Sequence, residues 1–223
     1  MSNEPYSLAG CPLPSRHVIK DLGIDVDSKL KFGVHIEGMV TRAFRRLGVL
    51  FKAFTCREPQ FMRKAYVTYI RPLLEYCTQV WLPFLKKYID CIERVQKSFS
   101  HRIPALKLLA YHDRLDILGL ETLELRRLRF DLCMYFKIIR GFINVNKDDF
   151  FYFPVNPHIT RGNDFKLLKP VCKTNMLSNI FACRCINIWN ELPNEVVNAP
   201  SVPSFKARLK RLCLNKFLQV GHQ

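Results

Sequence analysis

From Gly33 to Phe54 the apolar residues fall at helical spacing, and the run separates cleanly into two sides, which predicts one long amphipathic helix. At about 100° per residue, Ile36, Met39, Val40, Ala43, Leu47, Leu50, Phe51 and Phe54 share one broad arc, while Arg42, Arg45, Arg46 and Lys52 lie on the opposite one. Glu37 is the only acid in the stretch, and none stands four residues from Arg42, Arg45 or Arg46 to neutralise it. Arg42 lies one turn from Arg45 and Arg46, and Lys52 two turns beyond Arg45, so the four can follow a phosphate backbone. An ordinary solvated basic face fits the same spacing.

The rest of the chain reads as further helices behind a short β segment. Residues 6–27 alternate irregularly around Gly10, Pro12 and Pro14 and end in Leu22–Asp27, the pattern of one or two short strands. Alternation puts Asp25 and Asp27 on one strand face, read as exposed rather than metal-binding, with Leu22, Ile24 and Val26 on the other. A second helix starts at Pro59 after Glu58, with Phe61, Met62, Ala65, Tyr66 and Tyr69 as its buried face, and Pro72 ends or kinks it. Tyr76 and Trp81 sit among aliphatic residues and are read as packing groups rather than base-stacking platforms. Glu75 is expected to pair with an arginine.

Lys86 to Phe99 forms a third helix with Ile89, Ile92, Val95 and Phe99 as one buried stripe, broken over Ser100–Pro104. A short helix around His112–Leu118 ends at Gly119, and a longer one runs from about Glu121 to Arg140, stopped by Gly141. On the longer helix Leu125, Leu128, Leu132, Tyr135, Phe136 and Ile139 make one arc and Leu123, Phe130 and Met134 a second, so it is expected to be buried on two sides. Its Arg126, Arg127 and Arg129 are offset by Glu121, Glu124 and Asp131, which suggests a salt-bridged structural cluster. Residues 142–175 carry Pro154, Pro157, Gly162 and Pro170 with little periodicity and read as a connector, in which Arg161 is a candidate phosphate contact. Leu177, Phe181, Cys185, Ile188 and Trp189 return to helical spacing before Pro193, and a final helix is expected from about Ser201 to Phe217. Its basic residues surround the axis.

Composition narrows the partners. With 223 residues and 48% hydrophobic content the chain can bury a real core and is no disordered tail. A net charge of +16 and a pI near 9.6 point to an anionic partner, most often nucleic acid. Nine cysteines without framework-like spacing, and no N-terminal apolar stretch, suggest free thiols and an intracellular setting, nucleus or cytoplasm. No run approaches the roughly 18 apolar residues needed to span a bilayer, so no membrane partner is expected.

Several short motifs stand in a telling order: Asp21-Leu22-Gly23 leading to His35-Ile36, Arg71-Pro72-Leu73-Leu74-Glu75-Tyr76 running on to Trp81, Ile92-Glu93-x-Val95-Gln96, Leu123-Glu124-x-Arg126-Arg127, Thr160-Arg161-Gly162, and Ile186-Asn187-x-Trp189-Asn190-x-Leu192-Pro193. Over roughly residues 6–210 this series resembles the region after the polymerase palm in LINE-type (non-LTR) retrotransposon reverse transcriptases. The resemblance implies a mainly α fold: a helical thumb-like bundle with a short N-terminal β segment and a helical C-terminal part. Residues 1–32 would be a remnant of palm strands, 33–141 the thumb-like domain, 142–176 the connector and 177–223 the C-terminal helical segment. A thumb grips the template-primer duplex by its backbone, which favours phosphate contact for Arg42, Arg45, Arg46 and Lys52.

The family's chemistry lies upstream, in palm aspartates that hold two metal ions. Here the only adjacent aspartates, Asp148-Asp149, follow Asn144-Val145 and read as a solvated loop or helix cap. No catalytic residue, metal site or cofactor is therefore expected in this chain, and magnesium would belong to the palm. LINE C-terminal regions can carry a zinc element, but Cys172, Cys183 and Cys185 are wrongly spaced for one, and His158 and His222 are remote. No histidine stands out as a catalytic partner; His35 and His112 look like helix-start residues. Two functions follow: a noncatalytic reverse-transcriptase-like piece binding template RNA and primer DNA, or an α-helical interaction module derived from such an element. Its protein partner would be the palm and fingers region or a host protein.

Overall fold

Irregular alternation resolves into two small antiparallel hairpins in the computed structural model, which describes residues 6–154 and 163–219. Strand β1 (Ser7–Leu8) pairs with β2 (Cys11–Pro12), and β3 (Val18–Asp21) pairs with β4 (Ile24–Asp27). In the second hairpin Asp21 opposes Ile24, leaving Leu22-Gly23 as a two-residue turn with both φ values positive, 45° and 85°. Such a turn matches the twist of the strands it joins. Leu22 was expected on the inner face; the turn instead leaves it 82% exposed, and its carbonyl accepts a hydrogen bond from the Tyr76 hydroxyl at 3.1 Å. Ile24 is buried as the alternation required. Asp25 and Asp27 are half-buried rather than open: Asp25 faces His35, and the Asp27 carboxylate accepts the backbone N–H groups of Lys29, Lys31 and Phe32. Partial burial pushes the Asp27 pKa up, and those three hydrogen bonds bring it below the usual carboxylate value.

The amphipathic run becomes α1 (Gly33–Ala53), with Ile36, Met39, Val40, Ala43, Leu47 and Leu50 all buried. Helix α2 (Pro59–Tyr69) begins where Glu58 caps the N–H groups of Gln60 (3.0 Å) and Phe61 (2.6 Å), and Pro59 occupies a position whose N–H would be unpaired anyway. Pro72 marks the start of a new helix, α3 (Arg71–Glu75), rather than a kink inside the old one. After α4 (Thr78–Trp81) come α5 (Lys86–His101), carrying the expected buried stripe, α6 (Tyr111–Leu118), ended by Gly119 at φ 59°, and α7 (Leu123–Ile139). These elements close around Tyr66, Trp81 and Phe99; Tyr66 and Phe99 stack at 4.3 Å between centroids. The inner face of α2 is narrower than its spacing suggests: Met62, Ala65 and Tyr66 are buried, but Phe61 and Tyr69 are 37% and 56% exposed.

A second core forms on the far half of α7, where Leu128, Leu132, Tyr135 and Phe136 pack against Trp189, Val197 and Phe205. Leu123 belongs to the first core and Leu128 onward to the second, so α7 is shared along its length between two cores. Of the expected second arc only Leu123 is buried, while Phe130 and Met134 are half-buried. The periodic stretch after Thr174 divides into α8 (Asn175–Asn179), α9 (Phe181–Arg184) and α10 (Ile186–Asn190), followed by α11 (Asn194–Val197) and α12 (Val202–Lys210). Ser201 caps α12. That helix stops seven residues before the expected Phe217. Continued at about 100° per residue it would turn Leu214 away from Phe205 and Leu209; breaking it lets Leu214 enter the core.

Candidate nucleic-acid interface

Among the described motif residues, many of the apolar and paired polar ones are interior scaffold. Glu75 receives the guanidinium of Arg126, with Arg71 3.7 Å away. Glu93, fully buried, accepts from the Tyr111 hydroxyl and from the Leu123 backbone N–H at 3.0 Å, which also caps the start of α7. Gln96 joins them through Tyr111, the Glu121 carbonyl and the Tyr66 hydroxyl. Burial pushes the Glu93 pKa up, while Tyr111 and Arg127 pull against it. In the second core the Asn190 side chain bonds both the N–H and the carbonyl of Leu167, and Trp189 Nε1 donates to the Phe165 carbonyl at 2.7 Å. Trp81 donates to the Tyr76 carbonyl at 2.7 Å and is fully buried, a packing role, whereas Tyr76 lies at the surface. Each of these carboxylates is already held by donors, an arrangement suited to fixing helices and not to proton transfer.

Arg126, Arg127 and Arg129 follow the expected structural role only in part. Arg126 and Arg129 pair with Glu75 and Glu121, but Asp131 pairs with Arg184, and Arg127 is buried with neither Nη atom hydrogen-bonded. Burial lowers the Arg127 pKa, opposed by the field of Glu93 and Glu124.

Open chemistry lies on the outer face of α1. Arg42, Arg45, Arg46 and Lys52 are all exposed, and among the described residues none has a carboxylate partner. Along about 15 Å of helix axis, the charged groups that this arc presents are all cations. Arg46 Nη1 donates to the Tyr69 carbonyl at 3.2 Å, which ties this face to the end of α2. Between them runs a groove of about 390 Å³ lined by Arg45, Arg46, Val49, Leu50, Ala53, Phe54 and Tyr69. On the other flank of α1, the Arg94 and Arg102 guanidinium groups lie 6.0 and 5.4 Å from the rings of Phe44 and Phe51. Sequence reasoning placed Tyr69 inside and did not single out Val49, Arg94 or Arg102. The available signals were Val49 in the middle of the basic arc, and Lys87, Arg94 and Lys97 at helical spacing on α5.

Arg161 lies outside the described residues. Asp148 and Asp149 sit in a 3-10 turn capped by the Asn146 side chain. All nine cysteines are free; Cys185 faces Asp131 at 3.7 Å while Cys172 faces the Pro170 carbonyl. Among the described residues no group of three or more histidine, cysteine or acidic side chains could hold a metal ion, and no helix is long and apolar enough to cross a membrane.

The chain is 31% identical over 126 residues to an uncharacterized protein of Caenorhabditis elegans, a match covering 55% of this chain and 64% of the relative. The match thus spans less than two thirds of that relative's length. No protein-family model and no solved structure matches the chain.

Proposed function

We propose that this chain is the region following the palm of a LINE-type reverse transcriptase, noncatalytic on its own, which binds template RNA and primer DNA through α1. The observation that carries the reading is the outer face of α1: Arg42, Arg45, Arg46 and Lys52 exposed together, without carboxylate partners among the described residues, in a chain of net charge +16. Such a face contacts phosphates with little regard to sequence. If it neutralises about three phosphates of B-DNA, the logarithm of the binding constant falls with that of salt at a slope of roughly −2.7 from these contacts. Changing Arg42, Arg45 and Arg46 to glutamine keeps helix propensity and is expected to flatten the slope with the far-UV circular dichroism unchanged. A slope that does not move removes α1 as the interface.

A separate feature favours the second reading, a protein-interaction module. An apolar groove of about 640 Å³ lies among Phe32, Val80, Phe84, Met134, Ile138 and Phe150, where the N-terminal segment meets α4 and α7. A palm-containing polypeptide is the partner this reading names. Val80→Glu is expected to abolish co-elution with it on size exclusion while sparing nucleic-acid binding, and co-elution that survives the substitution defeats this reading.

A further inference from the structure

We propose that the groove beside α1 receives an unpaired nucleobase, so that the chain holds single-stranded nucleic acid in preference to intact duplex. The inference rests on the reading of α1 as a nucleic-acid interface and adds what the interface selects. A face that meets phosphates alone has no use for apolar surface at its centre. Val49 nevertheless stands in the middle of the basic arc, 65% exposed, and Tyr69 lies alongside it, 56% exposed. Leu50, Ala53 and Phe54 continue the groove inward, and Phe54 is backed edge-on by Phe61 with centroids 5.2 Å apart. At about 390 Å³ the space falls within the roughly 300–1,000 Å³ range of sites that enclose small organic groups.

Charge and shape then specify the occupant. Arg46, held at the Tyr69 carbonyl, and Tyr69 both line one cleft, and a guanidinium and a phenol ring are the kinds of group on which a flat aromatic base stacks. Arg45 lines the same cleft and Arg42 and Lys52 extend the cations along the helix, where the phosphates on either side of that base would run. A base inside an intact duplex is already paired and stacked, and entry would require flipping it out. An unpaired base enters without that cost. Sequence preference is not expected, because every base offers a π-face.

The test compares a fluorescein-labelled single strand with its duplex by anisotropy, and follows a single strand carrying 2-aminopurine, whose emission is quenched on stacking. Tyr69→Ala is expected to weaken single-strand binding roughly tenfold, the worth of one stacked base, to abolish the quench, and to leave duplex affinity unchanged. Tyr69→Phe keeps the ring and is expected to retain both single-strand affinity and quench. Since Tyr69 is more than half exposed, its truncation opens no core, and circular dichroism checks this. If Tyr69→Ala leaves the single-strand affinity and the quench intact, or weakens both substrates equally, while the triple arginine variant still weakens binding, the groove proposal fails and the interface stands. If the triple variant binds both substrates normally, the interface fails and the groove proposal with it.

Discussion

His35 shows how one buried side chain records its surroundings. It is almost fully enclosed, 5.5 Å from the Trp81 ring, and its Nδ1 accepts the Asp25 backbone N–H at 3.2 Å. Accepting requires the neutral ring. Burial holds its pKa below the ordinary imidazole value, the Asp25 carboxylate pulls it up, and Arg42 adds to the lowering. The unfolded chain takes its proton near pH 6.5 and the folded chain only at lower pH, so the unfolded state holds more protons in between. Stability from neutral His35 is complete above the unfolded value and is lost as the pH falls below it. The melting temperature is therefore expected to drop on acidification from about pH 7.5 to about 5.5, and to drop less in His35→Gln, where Gln keeps an acceptor without titrating. An equal drop in the variant assigns the pH dependence to other groups. The sequence marks His35 as a residue near a helix start; its neutral state depends on a strand and a tryptophan it meets only in the fold.

Among the elements, α9 in the C-terminal part is tied to α7 by a buried ion pair. Arg184 on α9 grips Asp131 on α7 through two contacts of 2.7 and 2.8 Å and also donates to the Gln79 carbonyl on α4. Asp131 is fully buried and Arg184 nearly so, so neither charge is offset by water. Burial pushes the Asp131 pKa up, and Arg184 draws it back. Removing one partner strands the other, at a cost of about 3–5 kcal/mol, whereas replacing both with apolar groups of similar size is expected to recover most of that loss. Denaturant unfolding of Asp131→Leu, Arg184→Met and the double variant checks this; single losses that simply add would show the pair to be uncoupled. Helix periodicity showed α5 and α7 plainly, because their apolar stripes are long and uninterrupted. It overextended α12, because the inward turn of Leu214 answers to the second core and has no counterpart in local spacing.

At the scale of the molecule, α7 is shared between two cores, and the two tryptophans divide between them: Trp81 lies in the first and Trp189 in the second, both fully buried. Phe205 and Phe136 stack at 4.2 Å in the second core, and Phe136 rides on the helix whose start, Leu123, is buried in the first. Loosening one core is expected to loosen the other through α7. In Trp189→Phe, the fluorescence of Trp81 and the far-UV circular dichroism are expected to share one unfolding midpoint, and adding Phe205→Ala, a loss of about 3–5 kcal/mol, is expected to move both together. A Trp81 signal that stays put while helicity falls would show that the cores unfold separately.

Periodicity is a local property: residues three and four apart share a helix face whatever surrounds them. It was therefore enough to set the mainly α class, the runs of α1, α5 and α7, and the basic arc of Arg42, Arg45, Arg46 and Lys52. Pairing and exposure are not local. Glu75 meets Arg126 from 51 residues away and Asp131 meets Arg184 from 53, and nothing in the spacing of either residue names its partner. Tyr69 has the position of a core residue, yet it is more than half exposed beside Val49 and Arg46, and burial depends on what covers a side chain.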